Sequence, residues 1–393
     1  MKLFAIFSIV FIALFSAGSA IGQDNAKAKD PLCDDCAKRI TGFLDASEME
    51  VPLDVPACAL CKKNDVDMIT VNISCVLCNA CAEKGNVCML CLIPMAEGWP
   101  ESLDDVKGLP TEKLLFVSNR DGENEFFTMN LDGKEQTQLT KDDFVEMDPA
   151  VSPDGKWIVF SGNMDGWWDL FVMDIRGEHL RRLTKSAGAE LSPCWYPDNK
   201  TIVFMFQDNM GMKLCTIMRD GSDMKPVEMP DEFDNMEVGY PVVSPDGKKI
   251  AFVAGQRDDE MSWDIYVRDE KGVVVNITND EFYNSAPAWS PDGKKIAYSF
   301  SDDVGKGMGN DEIYVMDSDG KNHKRLTENK FVDSGPNWSP DGKNIVFIST
   351  RDQVKEGIAD VYIMDSGGKN QINITNSSSK DLAPRWVKAD GKK

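Results

Sequence analysis

Nine of the chain's 11 cysteines fall between Cys33 and Cys91, and most come in Cys-x-x-Cys pairs. The pairs are Cys33/Cys36, Cys58/Cys61, Cys75/Cys78 and Cys88/Cys91, with Cys81 three residues beyond Cys78. Two thiolate pairs complete a tetrahedral zinc site. Cys33, Cys36, Cys58 and Cys61 would make one such site, and Cys75, Cys78, Cys88 and Cys91 a second. The alternative chemistry is disulfide formation, which an oxidising compartment sustains. The interiors of three pairs, Ala-Leu, Val-Leu and Met-Leu, lack the glycines that help metal knuckles turn. An iron–sulfur cluster would need a fourth Cys-Pro ligand beyond Cys81. No βαβ pattern surrounds any pair, as a thioredoxin-like redox site would require. Zinc and disulfides both stay open.

The second set of groups that could do chemistry is acidic. Glu146, Glu190, Asn284, Asp333 and Asp381 each stand three residues before a proline that opens a strand. Brought together at one end of a ring, they could hold a hard cation such as Ca²⁺, which prefers oxygen ligands. The same side chains could instead cap local backbone N–H groups. Asp169, Asp264, Asp311 and Asp360 precede other strands and read as part of a repeat. Trp167, Trp168, Trp263, Phe282 and Tyr283 could stack on a sugar or anchor a protein partner.

Several chemistries are excluded by composition. The chain holds only two histidines, His179 and His323, and no Gly-x-Ser-x-Gly elbow. This disfavours a nucleophile–His–acid site, and the count excludes a multi-histidine metal lyase. A formal charge of −22 opposes binding to nucleic acid phosphates and favours a basic partner. These features predict a non-enzyme.

The elements that must position these groups are set by a repeat. Ser152-Pro-Asp-Gly-Lys156 recurs at Tyr196 (as Tyr-Pro-Asp-Asn-Lys), Ser244, Ser290 and Ser339, 44 to 49 residues apart. That spacing suits one four-stranded propeller blade. Each unit opens on a Pro-x-Trp strand such as Pro287-Ala-Trp289, and Ser-Pro-Asp-Gly makes a turn. A period-two strand follows, then a variable acidic loop, an Ile-Tyr-Val-Met-Asp strand and a Leu-Thr or Ile-Thr closure. The first unit, at Lys113, lacks a Pro-x-Trp strand, and Ala383-Pro-Arg-Trp386 supplies one near the end of the chain. The fold expected is all-β: a six-bladed β-propeller of four-stranded blades, closed by the C-terminal strand and preceded by a small Cys-rich module.

Residues from about 110 to 393, with their Pro-x-Trp-Ser-Pro-Asp-Gly-Lys blocks and the strands Ile313–Asp317 and Val361–Asp365, resemble the TolB-like, WD-repeat-like propeller family. That resemblance implies an exported, non-catalytic interaction module, or a gating domain attached to a peptidase. TolB itself carries an α/β domain ahead of its propeller. This chain has the Cys-rich segment instead, so TolB's partners do not transfer.

Lys2, the apolar run Leu3–Ala17 and Gly18-Ser19-Ala20 form a secretory signal pattern too short to span a membrane. The expected organisation is a signal peptide over 1–20, a Cys-rich module over 21–100 and the propeller over 101–393. The protein is expected to be soluble and exported, periplasmic or extracellular, without a membrane span. Its expected role is protein binding on the variable-loop face, from Asp142–Asp148, Trp167–Asp169, Asp231–Glu237, Asp258–Asp264, Phe282–Tyr283 and Asp302–Asp311. Carbohydrate binding, and a metal or redox module on a propeller platform, are the alternatives.

Overall fold

The computed structural model describes residues 68–71, 75–78, 108–109, 111–256, 263–302, 310–352 and 358–389. The chain divides into two compact units, Ala13–Glu101 and Met1–Ile12 with Ser102–Lys393. In the first unit the described residues form one antiparallel hairpin, β1 (Met68–Val71) and β2 (Cys75–Cys78), with Met68 opposite Cys78. Cys75 and Cys78 thus occupy the two ends of β2. Cys33, Cys36, Cys58, Cys61, Cys88 and Cys91 lie outside the described residues, as does the signal pattern.

The second unit is built from short antiparallel meanders. β3 (Lys113–Ser118), β4 (Glu125–Met129) and β5 (Thr137–Gln138) pair in order, and β26 (Asp381–Val387) adds to the free side of β3. β6 (Val145–Val151), β7 (Trp157–Asn163), β8 (Asp169–Asp174) and β9 (Arg181–Arg182) form the next sheet. β10 (Ala189–Trp195), β11 (Thr201–Asp208), β12 (Gly211–Met218) and β13 (Lys225–Pro226) form a third. β22 (Asp333–Trp338), β23 (Asn344–Ser349), β24 (Asp360–Asp365) and β25 (Ile372–Asn373) form a fourth.

The remaining eight strands share one sheet. β14 (Met236–Val243), β15 (Lys249–Gln256), β16 (Trp263–Asp269) and β17 (Val274–Asn276) make one meander of it. β18 (Tyr283–Trp289), β19 (Lys295–Ser301), β20 (Glu312–Asp317) and β21 (Lys324–Arg325) make the other. Separate four-stranded sheets were expected for every repeat, and four stand alone in that form. The other two repeats are fused because Tyr283, the first residue of β18, pairs in parallel with Trp263.

The repeated turn has a chemical explanation. In Ser290-Pro-Asp-Gly the Ser290 hydroxyl donates to Asp292 Oδ1 at 2.6 Å and accepts the Lys295 N–H at 2.9 Å. Asp292 Oδ1 also accepts the Lys294 N–H at 3.1 Å, and Gly293 N–H closes on Ser290 O at 2.8 Å. Ser152, Ser244 and Ser339 repeat the arrangement. The glycine sits at positive φ, +69° at Gly293, where an L side chain is strained. In the third sheet Tyr196 replaces the serine, and Asp198 caps Thr201 directly, at 2.8 Å from its N–H.

The tryptophan of Pro-x-Trp joins neighbouring sheets. Trp195, Trp289, Trp338 and Trp386 donate their indole N–H to the carbonyls of Ala150, Val242, Ala288 and Asn337, at 3.0 to 3.3 Å. Each acceptor lies in the leading strand of the preceding meander. The leading strands β6, β10, β14, β18, β22 and β26 touch one another in a closed cycle. Each carries one bulge, at which a residue just before the proline takes positive φ: Asp148, Ser192, Tyr240, Ala286, Gly335 and Ala383. Apolar cores fill the spaces between facing sheets, such as Ala297 and Ile313 against Phe347 and Met364.

Trp338→Phe keeps the buried ring but leaves the Ala288 carbonyl without its donor. A loss of about 1–3 kcal/mol in urea unfolding is expected. Ser339→Ala, which removes one turn cap, should cost about 1 kcal/mol. Wild-type stability in both variants would refute these roles.

Candidate functional site

The connections between meanders are built on threonine. The hydroxyls of Thr140, Thr184, Thr278, Thr327 and Thr375 accept the N–H groups of Phe126, Leu170, Ile265, Ile313 and Val361, at 2.8 to 3.0 Å. Four of these hydroxyls pass their proton to an acid. Thr140 donates to Glu146 at 2.5 Å, Thr184 to Glu190 at 3.3 Å, Thr278 to Asp264 at 2.6 Å and Thr375 to Asp360 at 3.0 Å. The Leu-Thr and Ile-Thr closures are thus hydrogen-bonding devices.

Glu146, Glu190, Asn284, Asp333 and Asp381 are all fully buried. Each is bonded within its own connection. Ser186 Oγ donates to Glu190 at 2.6 Å, Asn284 Nδ2 to Asp280 at 2.8 Å, Asn329 Nδ2 to Asp333 at 2.7 Å and Ser377 Oγ to Asp381 at 2.7 Å. Arg351 reaches Asp333 at 2.5 Å, and Arg120 grips both oxygens of Asp381 at 3.0 and 3.1 Å. The residues expected to ring a channel mouth for Ca²⁺ are thus buried and tie their own loops, while Glu146 Oε1, Asn284 Oδ1 and Asp333 Oδ1 keep no hydrogen-bond partner. Asp169, Asp264 and Asp360 are buried as expected of the repeat. In the fifth repeat the equivalent acid is Glu312, which Arg325 meets at 2.8 Å, one residue after Asp311.

One junction differs in charge. Glu125, Asp142 and Glu146 influence one another electrostatically, and among the described residues no basic side chain pairs with any of them. Burial pushes Glu146 up to about 9, assisted by Asp142 and Glu125 and opposed by Thr140. Burial likewise raises Glu125 and Asp142. Glu146 therefore carries a proton at neutral pH. Burial also lifts Glu190 to about 7 and Asp311 to about 6.

The predicted aromatic surface is split by the structure. Trp167 is 55% exposed and Phe282 is 40% exposed. Trp168 and Trp263 are buried, and Tyr283 is half-buried against Trp263 with ring centroids 6.4 Å apart. Trp168→Ala would therefore disturb packing, so Trp168 and Trp263 are withdrawn as partner contacts. Trp168 directly precedes β8 and is drawn into the core, while Trp167 stays on the loop. Met164, on that loop, and Met210, on the β11–β12 turn, add exposed apolar surface that the sequence reading did not single out; Met210 is 76% exposed. Their signal was a large apolar residue flanked by Asp, Asn and Gly in a loop.

Successive strands of each antiparallel meander run in opposite directions, so the β7–β8 loop, the β11–β12 turn and the connections between meanders share one face. Asp165, Asp231, Glu232, Asp234 and Glu281 are exposed on those connections. Of the predicted surface, Asp258–Ser262 and residues 303–309 lie outside the described residues.

The remaining singled-out residues are structural. Cys194 and Cys215 are free thiols on strands separated by β11. His179 Nδ1 lies 3.0 Å from Asp174 Oδ2, in a turn where Asn322 and Asn370 take the same positive φ. Asp174, Glu178 and His179 bring possible ligand atoms within 4.8 Å, but Asp174 Oδ1 already caps the N–H groups of Arg176 and Glu178. His323 sits one place further in its repeat; its Nε2 faces Gly320 O at 2.9 Å, so Nδ1 accepts from Tyr298 OH at 2.8 Å. Arg385 was not anticipated either. It is the middle residue of a Pro-x-Trp block, a column that holds Ala150, Cys194, Val242, Ala288 and Asn337 in the other repeats.

The protonated glutamate makes stability depend on pH. A carboxyl ionised in the unfolded chain above 4.5, but protonated in the fold up to about 9, gives the folded state the extra proton in that window. Stability should therefore fall as pH rises through it. The slope for one proton is at most about 1.4 kcal/mol per pH unit. Glu146→Gln should flatten the decline above about pH 7, read by urea unfolding in steps up to pH 9. An unchanged slope would rule out the protonated glutamate.

Comparisons place this architecture among known proteins. A comparison with curated proteins returns no match. TolB from Acinetobacter baumannii superposes with a TM-score of 0.57 at 20% identity, over 73% of this chain and 69% of that one. Kuenenia stuttgartiensis hydrazine synthase gives 0.57 at 18% identity, over 73% of this chain and 48% of that one. A chain of a nidogen/laminin complex gives 0.55 at 11% identity, over 71% and 99%. These identities carry the fold alone. The sequence model of the TolB beta propeller domain matches residues 110–225, 145–259 and 212–393. With the repeated turns, threonine closures and cyclic leading strands behind that match, the chain belongs to the TolB β-propeller domain family.

Proposed function

We propose that this chain is an exported, non-catalytic binding protein whose loop face takes a basic protein segment bearing an apolar residue. The observation that carries this reading is the grouping of Trp167, Met164, Met210 and Phe282 on the face that also exposes Asp165, Asp231, Glu232, Asp234 and Glu281. Exposed aromatic and methionine side chains anchor partners, and acidic surroundings select cationic ones. The eight-stranded sheet counts as two blades in this reading, giving six, with β26 completing the blade of β3. The pattern Lys2, Leu3–Ala17, Gly18-Ser19-Ala20 supports export to the periplasm or the extracellular space. Among the described residues no helix is long and apolar enough to cross a membrane.

A displayed peptide library should enrich for Lys/Arg-rich sequences with an aromatic or aliphatic residue. The enriched peptide should lose at least about tenfold in affinity on Trp167→Ala with Phe282→Ala. Its affinity should also weaken as salt rises from about 50 to 500 mM. Enrichment of acidic peptides, or full binding by the double variant, would sink the reading. If a glycan array gave binding lost on Trp167→Ala, the carbohydrate alternative would replace it.

The Cys-rich segment is proposed as a stapled or metal-built module. Protein purified from the exported fraction without reductant should show either about two zinc per chain, from two four-thiolate sites, or no metal and most N-terminal thiols blocked. Fully reactive thiols with no metal would exclude both.

A further inference from the structure

The β7–β8 loop, residues 164–168, departs from the plan of two other sheets. In the first sheet Ser118 lies opposite Asp381. Two residues on, Arg120 turns back onto that acid and over Phe127, 4.7 Å from the ring centroid. Ser349, Asp333, Arg351 and Tyr362 repeat this in the fourth sheet, with the guanidinium 4.8 Å from the ring. In the second sheet the same register sets Gly162 opposite Glu146. Two residues on stands Met164, exposed on the loop. This repeat draws its arginine from β9 instead. Arg182 lies 5.9 Å from the ring centroid of Phe171, which matches Phe127 and Tyr362 in register.

Arg182 is buried and commits all three guanidinium nitrogens. Nη2 meets Asp169 Oδ2 at 2.5 Å, at the start of β8, and Nε donates to Thr184 O at 3.0 Å. Nη1 reaches beyond the strand to Asp165 Oδ2, also at 2.5 Å, in the loop itself. The loop is held at its end as well: Trp168 is buried, and its carbonyl accepts the Glu190 N–H at 2.8 Å. Asp165 directly follows Met164, and only Gly166, at φ +84°, separates it from Trp167. The two exposed apolar side chains of the loop thus flank its fixed point.

We propose that Arg182 and Asp165 form a clamp that presets the β7–β8 loop, so that Met164 and Trp167 meet a partner in a ready-made conformation. The proposal rests on the binding role assigned to the loop face. A loop fixed before binding loses less freedom on association, and a rigid aromatic anchor gains affinity from that. Arg182 is a positioning residue, buried and with its donors spent within the protein. A guanidinium suits the task because its rigid planar fork holds two carboxylates in fixed directions. Where the first and fourth sheets place an arginine, Met164 gives the surface an apolar contact, and Arg182 supplies the hold.

Hydrogen–deuterium exchange on the full-length protein tests the clamp without a partner. Asp165→Ala should speed exchange of the Gly166 and Trp167 amides about tenfold, the effect of one charged hydrogen bond. Its urea midpoint should stay near wild type. Asp165→Glu, which keeps a carboxylate within reach of Arg182, should restore slow exchange. Asp234→Ala, a charge control on the same face, should leave the loop unchanged. Against the enriched basic peptide at about 500 mM salt, exposed charges are screened. There Asp165→Ala should bind severalfold more weakly, and Asp234→Ala like the wild type. Unchanged loop exchange in Asp165→Ala would overturn the clamp, and a loosened loop with full affinity would overturn its part in recognition. Arg182→Lys should loosen the loop as Asp165→Ala does; should it fail to fold, Asp165→Ala decides. If no basic peptide is enriched, the binding role fails instead, and loop exchange still judges the clamp.

Discussion

A ring of small sheets has no continuous backbone ladder around its circumference, so something other than strand pairing must fix each sheet against the next. Here the indole N–H of Pro-x-Trp does it, donating into a leading-strand carbonyl of the previous meander at Ala150, Val242, Ala288 and Asn337. Each bond pins one point of contact, and the apolar core between the sheets holds the rest of the interface. Two junctions lack the tryptophan because Val151 and Val243 occupy its place. There the chain uses phenylalanine instead. Phe126 meets Phe160 edge-on at 5.0 Å, and Phe233 packs against Phe252 and Tyr266. At the second of these, the Cys194 sulfur also accepts the Val243 N–H at 3.5 Å.

Most of the propeller was legible because its determinants are local. Pro presets φ, Gly permits a positive φ, and Ser and Asp close the turn within five residues. The same locality explains the threonine closures. What escaped the sequence was decided by neighbours distant in the chain. Trp167 and Trp168 are indistinguishable as letters, and only the start of β8 sends one outward and one inward. The fused sheet depends on a single contact between Trp263 and Tyr283, which no periodicity encodes. The acids before the prolines were found at the right spacing, yet their fate turned on serine, threonine, asparagine and arginine donors in adjacent loops and strands. Arg385 was readable in principle, as the one cation in a column of small and neutral residues.

The high negative charge is distributed with a clear division of labour. Acids in turns keep their charge: Asp341 is held near 2, first by its bonds to Ser339 and the Lys343 N–H. Buried acids are matched by arginine, as with Asp333 and Asp381, held by threonine and asparagine donors, as with Asp264 and Asp360, or left protonated, as with Glu146. The formal −22 therefore overstates the charge of the folded molecule near neutrality. What remains lies outside, on the turns and the loop face, where it bears on encounter with partners.

The pairing of β26 with β3 joins segments separated by most of the unit, Asp381 lying opposite Ser118. During synthesis β3 is among the first strands of the unit to be made and β26 the last. Until then the first sheet has an open edge along β3. Closing so long a loop costs entropy before any of its contacts form. Closure of the ring therefore waits for β26, and a nascent chain short of Asp381 leaves the edge of β3 unpaired.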